Sequence, residues 1–132
     1  ERIQTAIASA EQRTSGEIRV VVSRASVPAP VAEAEKQFTR LGMTATAARN
    51  GVLILLAPRS HTYAIIGDKG IHERCGETFW KELAAAMGDA FKRGDFTTGL
   101  VLGIDRAGEL LAAHFPRQHD DRDELSDSVE VV

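Results

Sequence analysis

Four side chains with oxygen ligands stand in or beside turn-like, glycine-containing stretches: Glu17, Asn50, Asp68 and Glu73. Carboxylate and amide oxygens are hard ligands of the kind that Ca²⁺ and Mg²⁺ prefer. Arg49 and Lys69 stand directly beside two of them, and basic side chains can hold an anion such as phosphate. These residue types predict a divalent-metal site next to an anion-binding site, provided that the fold brings them together. Turns also contain Gly, Asn and Asp for reasons of backbone geometry, so plain turns are the alternative interpretation.

The elements that would position these residues follow from the spacing of apolar residues, which predicts four helices and three strands. The helices cover residues 1–13, 31–41, 77–92 and 97–114, and the strands cover residues 17–23, 52–57 and 61–66. The run from Val52 to Ala57 is apolar without alternation, which is typical of a central strand covered on both faces. Thr97 is the predicted cap of the last helix. The predicted fold class is α/β, in the order α-β-α-β-β-α-α.

The connections between the strands decide where the oxygen-bearing side chains lie. A strand, helix, strand unit normally joins two parallel strands through a right-handed crossover. The strands that begin near Glu17 and Gly51 should therefore start at the same edge of one sheet. The third strand returns as a hairpin partner, so its end at Asp68 reaches that edge too. The topology thus predicts one shared neighbourhood for the four side chains: Glu17, Asn50, Asp68 and Glu73.

The charge of the chain is unevenly distributed. Its net charge is −3 over 132 residues, but residues 117–132 contain six acidic and two basic residues and so carry −4. The remaining chain is close to neutral, which argues against nucleic-acid binding, because nucleic-acid-binding domains carry a basic excess. We expect one domain over residues 1–116 and an acidic, flexible tail over residues 117–132.

The sequence predicts no membrane-spanning segment, because no apolar run approaches about 18 residues. The chain begins with Glu1 instead of Met. We therefore expect a piece of a longer protein, a soluble domain that is either cytoplasmic or tethered to a membrane by an upstream segment. Cys75 is the only cysteine, which excludes an internal disulfide. A zinc site at His72 and Cys75 is not predicted, because four ligands are needed and the other histidines are scattered.

The motifs along most of the chain resemble those of the TPM domain family. In chain order they are Ala6-Ile7 with Ala10-Glu11, TSGEIRV at 14–20, RNGVL at 49–53, YAIIGDKGI at 63–71, Phe91-Lys92 with Gly94-Asp95-Phe96, and Gly99-Leu100 with Gly103-Ile104. The resemblance covers the chain up to Pro116 and is closest to the short bacterial members of the family.

The resemblance implies a three-layer sandwich, in which helices cover both faces of a mixed β-sheet. It also implies a divalent-metal site at loops around the sheet, usually for Ca²⁺, with Mg²⁺ as the alternative. Plant relatives in the thylakoid lumen are described as acid phosphatases linked to photosystem II repair. The long relatives have an extended glycine-rich stretch after the third strand, whereas here it is the shorter stretch 67–76. Metal binding therefore transfers to this chain better than catalysis does.

Two functions remain open. The first is a binding module steadied by Ca²⁺, a monomer that works with an unknown protein partner in envelope or stress maintenance. It is favoured because the sequence contains no convincing nucleophile or acid–base pair. The alternative is a metal-dependent acid phosphatase that acts on phosphomonoesters. In that case Asp68 would be a metal ligand or general base, and Arg49 or Lys69 would balance the phosphate charge.

Overall fold

The structure, a computed structural model, describes residues 2–45, 49–76, 78–117 and 129–132. Its helices are α1 (Arg2–Glu11), α2 (Pro30–Arg40), α3 (Lys69–Cys75), α4 (Thr78–Lys92) and α5 (Phe96–His114). Its strands are β1 (Glu17–Val22), β2 (Gly51–Ala57), β3 (Thr62–Gly67) and β4 (Glu130–Val131), and 3-10 turns cover Met43–Ala45 and Pro58–Ser60. Every predicted helix and strand is present, with ends shifted by at most a few residues. Among the described residues, no helix combines the length and the apolar character that a membrane crossing requires.

The strands form one mixed sheet in the order β3-β2-β1-β4. β1 and β2 are parallel, with Glu17 beside Gly51, and β2 and β3 are antiparallel, with Val52 beside Gly67. β4 adds to the other side of β1 in parallel. Every residue of β2 is buried, as its uninterrupted apolar run predicts for a central strand. The α/β fold class and the mixed sheet are therefore confirmed.

Helices cover both faces of the sheet. The side chains of each strand alternate between these faces and so contribute to two apolar layers. Ile18 and Val20 of β1 point into one layer, which includes Ile104 and other buried residues of α1, α4 and α5. Val21 points into the opposite layer, which includes Phe38 of α2. The arrangement is the three-layer sandwich that the resemblance implies.

Glycines of α5 let this helix approach α4 closely. A Cβ atom at Gly99 would overlap the ring of Phe91, and a Cβ atom at Gly103 would stand 2.7 Å from Sδ of Met87. Both partners are buried residues of α4. At Gly99 the two helices therefore pack at a separation that favours a residue without a side chain.

Two local features differ from the sequence expectation. The short helix α3 was not predicted; it begins after Asp68, whose Oδ1 accepts the Lys69 N–H at 2.8 Å. With a glycine in its first turn, α3 has low intrinsic helix propensity and depends on this cap, which periodicity cannot show. The predicted cap of α5 was wrong. Asp95 caps the helix instead of Thr97, because its Oδ1 accepts the Thr98 N–H at 3.2 Å.

The end of the predicted tail lies on the sheet. Residues 118–128 of that tail lie outside the described residues, but Glu130–Val131 form β4. Glu130 accepts a hydrogen bond from Arg19 of β1 at 3.1 Å, and the Val132 N–H donates to the Val22 carbonyl at 2.9 Å. The domain boundary at residue 116 and the flexibility of the tail stay predictions.

Candidate functional site

Three loops meet at the edge of the sheet where β1 and β2 begin and β3 ends. Glu17 is in register with Gly51, and the Asp68 N–H donates to the Gly51 carbonyl at 2.9 Å. Nδ2 of Asn50 donates to Oγ of Ser15 at 3.3 Å, which joins the loop before β2 to the loop before β1. The meeting of the three loops, which the strand connections predict, is therefore confirmed.

A bidentate ion pair joins Arg49 to Asp68 at this edge. Arg49 donates through Nε to Oδ2 at 2.7 Å and through Nη2 to Oδ1 at 2.9 Å. Two charge-assisted hydrogen bonds of this kind fix both side chains. The hydrogen bond to Asp68 raises the pKa of Arg49 above its ordinary value, partial desolvation opposes this rise, and the charge of Asp68 adds to it. The anion that Arg49 holds in this structure is thus a carboxylate of its own chain, whereas Lys69 is exposed.

The backbone of Arg49 adopts an unusual conformation. Its φ is 52°, in the left-handed region that residues with a Cβ atom adopt rarely. The Gly70 N–H donates to the Arg49 carbonyl at 3.0 Å, so both the main chain and the side chain of Arg49 are held by the segment that follows β3. Such conformations persist only where surrounding contacts enforce them, and they cluster at functional sites.

Asn50 carries a buried oxygen with no hydrogen-bond donor. The residue is 1% exposed, and no donor among the described residues reaches its Oδ1. A buried amide oxygen in this state costs about 1–3 kcal/mol of stability. Such atoms are rare in native structures, and a water molecule or an ion at that position would satisfy this oxygen.

Glu17 and Asp68 lie in one row across the sheet, with Gly51 between them. Because each neighbour is one strand spacing away, their α carbons are roughly 10 Å apart. The space above Gly51 is filled: atoms of Met43 and Phe38 lie 3.4 Å from the position that a Cβ would take. Apolar side chains therefore separate the two carboxylates.

Glu73, the remaining predicted ligand, is exposed on α3. Within the described ranges, no hydrogen bond or ion pair joins it to Asp68 or Asn50. No three Asp, Glu, His or Cys side chains of the described residues stand close enough together to hold a metal ion. The structure thus brings Asp68 and Asn50 to one edge, where the described residues form no cluster of three carboxylates.

A second buried carboxylate, which sequence reasoning missed, lies beside this edge. Glu11 at the end of α1 is 3% exposed, and its Oε2 accepts the Ile18 N–H at 2.7 Å. Its carbonyl accepts a hydrogen bond from Arg117 at 2.9 Å. The one signal in the sequence was a glutamate in the last turn of a predicted helix. The helix dipole disfavours a negative charge there, so the residue needs partners of its own.

Two side chains at the edge carry oxygens of the chemical type that hard divalent cations bind. A carboxylate offers about four acceptor positions, and Asp68 uses three of them, two for Arg49 and one for the Lys69 N–H. The fourth position and Oδ1 of Asn50 are oxygens of the type that Ca²⁺ and Mg²⁺ bind. An ion at Asp68 would therefore share the carboxylate with Arg49, and water would complete its coordination.

Known proteins are similar to this chain over most of its length. The sequence model of the TPM domain matches residues 1–110. The NMR structure of the BA42 protein from the psychrophilic bacterium Bizionia argentinensis is 42% identical, with a TM-score of 0.90 over 98% of this chain and 90% of that chain. The N-terminal domain of the cg2496 protein from Corynebacterium glutamicum is 18% identical, with a TM-score of 0.62 over 92% and 78% of the two chains, a likeness of fold alone. No curated protein matches the chain.

Proposed function

Because the chain belongs to the TPM domain family, we propose that it is a divalent-cation-binding module, with Ca²⁺ as the expected ion and Mg²⁺ as the alternative. One observation carries the proposal: the buried amide oxygen of Asn50 has no donor in the described part of the chain. It lies at the edge that also holds the buried carboxylate of Asp68. Hard oxygens of these two types are the ligands that such cations prefer.

Asp68 and Asn50 would hold the ion, and Glu17 and Glu73 are the further carboxylates that sequence reasoning assigns to it. When bound, the ion would supply positive charge between the end of β3 and the loop before β2. Arg49 now supplies that charge. It would therefore have to give up at least part of its contact with Asp68. The Arg49 side chain is 36% exposed, so it is the group that would move toward water.

Thermal unfolding with and without Ca²⁺ tests the proposal. A ligand that binds only the folded state stabilises it by about 2.7 kcal/mol at 100 times its Kd, so the Tm of the wild-type protein should rise with calcium concentration. Asp68→Asn and Asn50→Ala should each reduce this rise, and Mg²⁺ in place of Ca²⁺ measures selectivity. Asp89→Asn is the matched control, because Asp89 is exposed on α4, and it should keep the full rise.

Asn50→Ala is the sharper variant. It removes a buried oxygen that no described donor satisfies but also the hydrogen bond from Nδ2 to Ser15. The two effects oppose each other, so the stability of the metal-free variant should stay within about 1 kcal/mol of the wild type. A variant that keeps its stability while losing its response to calcium separates ligand binding from damage to the fold. The proposal fails if calorimetry finds no calcium effect on the wild-type protein, or if the effect is unchanged in both variants.

The module would serve an interaction with another protein, in envelope or stress maintenance, as a monomer that is cytoplasmic or tethered to a membrane. Analytical ultracentrifugation tests the monomer, and fractionation of cells that express the protein tests the compartment. These parts of the proposal come from the sequence and the family.

The phosphatase alternative stays a prediction, since no contact among the described residues favours it over binding. Asp68, its proposed ligand or general base, already accepts three hydrogen bonds. Turnover of a generic phosphomonoester in the presence of Ca²⁺ or Mg²⁺ tests it. Activity that Asp68→Asn abolishes and Asp89→Asn leaves intact would support a phosphatase, whereas activity unchanged in both variants would come from elsewhere.

A further inference from the structure

The outer edge of β3 is open for hydrogen bonding. β3 is the terminal strand of the sheet. The Asp68 N–H bonds to Gly51 of β2, and inward and outward residues alternate along an antiparallel strand. The main-chain groups of Tyr63, Ile65 and Gly67 therefore point away from β2. In the part of the chain that the structure describes, no hydrogen bond reaches them.

The two edges of the sheet differ in protection. β4, at the far edge, is two residues long and carries Glu130, a short charged strand of the kind that prevents unwanted pairing. β3 has six residues, Thr62–Gly67, and contains no charge and no proline. A strand that lacks these protections pairs readily with another strand, so β3 is the edge suited to strand addition.

Two grooves flank β3, one on each face of the sheet. The α4-side groove, of about 300 Å³, is lined by Ile65, His72, Trp80 and Lys81 among others. The α2-side groove, of about 220 Å³, is lined by residues that include Glu35, Phe38 and Asp68. Successive side chains of a strand point to opposite faces. A strand added to β3 would therefore place alternate side chains in the two grooves.

The charges of the grooves are opposite in sign. Lys81 on the α4 side and Glu35 on the α2 side are exposed, and neither forms an ion pair with any described residue. Asp68 is neutralised by Arg49. A second copy of this chain would pair β3 with β3 about a two-fold axis perpendicular to the sheet. In that dimer each groove of one copy would lie next to the same groove of the other copy. Lys81 would therefore face Lys81, and Glu35 would face Glu35.

We infer that β3 binds an extended segment of a partner protein by strand addition, a recognised mode of peptide binding. The segment carries acidic and apolar side chains on the face toward Lys81 and Trp80, and basic or small polar side chains on the face toward Glu35. The inference rests on the interaction part of the proposed function and needs no bound ion.

A synthetic ten-residue peptide tests the inference, with Glu and Val alternating at odd positions and Lys and Thr at even positions. Trp80 is the only tryptophan and lines the α4-side groove, so its fluorescence reports binding, and calorimetry gives the Kd. Two N-methylated peptides are compared, one methylated at the odd positions and one at the even positions. The peptide whose methylated N–H groups would face β3 should not bind, and the other should keep the Kd of the parent peptide. Equal Kd values for both methylated peptides, or no binding of the parent peptide, overturn the inference.

Variants of the protein test the charges. Lys81→Glu should weaken binding about threefold or more, since it replaces a favourable pair with a repulsive one. The control is Arg24→Glu, which makes the same charge change at an exposed residue beside β4, at the far edge of the sheet, and should leave the Kd unchanged. An unchanged Kd in Lys81→Glu overturns the assignment of the acidic face. A dimer of the free protein that the peptide does not dissociate would assign the edge to a second copy instead.

The titration is made in chelator and again with Ca²⁺, so that the two proposals fail separately. Peptide binding without any calcium effect on Tm refutes the metal site alone. A calcium effect without peptide binding refutes the strand addition alone.

Discussion

Asp68 ties the end of β3 to the loop before β2 through one nearly buried carboxylate. Its side chain is 6% exposed and accepts two hydrogen bonds from Arg49 and one from the Lys69 N–H. Asp68→Ala removes all three. Asp68→Asn removes the charge but keeps an amide oxygen that can accept the main-chain N–H. Comparing the two variants therefore separates the helix cap from the ion pair.

The expected loss of stability follows from these contacts. Loss of an N-cap costs about 1 kcal/mol, and loss of hydrogen bonds to a charged group costs about 1.5–3 kcal/mol. We take the lower value for Asp68, because water around the partner side chain screens the interaction. Asp68→Ala should lower the free energy of unfolding by about 2.5 kcal/mol, and Asp68→Asn by about 1.5 kcal/mol.

Urea unfolding in chelator measures both losses. The m-value should stay constant, because the surface exposed on unfolding does not change. The Tm of Asp68→Ala should fall by roughly 10 °C for a domain of this size. Asp89→Ala, at an exposed position of α4, should change the stability by less than about 0.5 kcal/mol.

Two results would refute this account. If both Asp68 variants unfold at the same urea concentration, the cap contributes nothing to α3. If both lose less than about 0.5 kcal/mol, the range of an ordinary surface substitution, the carboxylate does not hold the edge.

Three further variants test other parts of the structure. Arg49→Gly should have a higher free energy of unfolding in urea than Arg49→Ala. Both variants lose the ion pair, but only Gly adopts the φ of 52° without strain. Equal free energies of unfolding would contradict the left-handed conformation. Hydrogen bonds from Thr98 lower the pKa of Asp95 below its ordinary value of 3.8. The contribution of Asp95 to stability is therefore present above that pH and is lost as the pH falls through the folded-state pKa. The Tm difference between the wild type and Asp95→Asn should thus be present at about pH 6 and shrink as the pH falls below 3.8. Gly99→Ala would bring a Cβ into overlap with the buried ring of Phe91, and overpacking of this kind costs about 1–3 kcal/mol in urea unfolding; a neutral result would contradict the close packing of α4 and α5.

The sheet was predictable because its signals are local and the rules that join them are strong. The uninterrupted apolar run of β2 indicates a strand covered on both faces, and the helix between β1 and β2 requires a parallel crossover. Together with the hairpin that returns β3 beside β2, these features bring Glu17, Gly51 and Asp68 to one edge. Every residue of β2 is in fact buried, and the register aligns Glu17 with Gly51.

The contacts within the edge could not be predicted, because they join residues far apart in the sequence or depend on backbone conformation. Arg19 bonds to Glu130 across 111 positions. α3 has no apolar periodicity and begins where Asp68 supplies a cap. The basic side chain of Arg49 predicted the binding of an external anion. In the structure Arg49 instead forms a bidentate ion pair with Asp68, and its backbone is left-handed.

The ion pair changes what cation binding at this edge would require. A carboxylate that is free in solution loses only water when a metal binds it, but the Asp68 carboxylate already has Arg49 as its counter-ion. Binding would therefore be an exchange of one cation for another, and the net gain would be the difference between two favourable interactions. Arg49 is 36% exposed, so its guanidinium can return to water at a smaller cost than a buried one. The proposed site is thus one in which the resident cation can leave, and its affinity for calcium would be set as much by Arg49 as by the oxygens of Asp68 and Asn50.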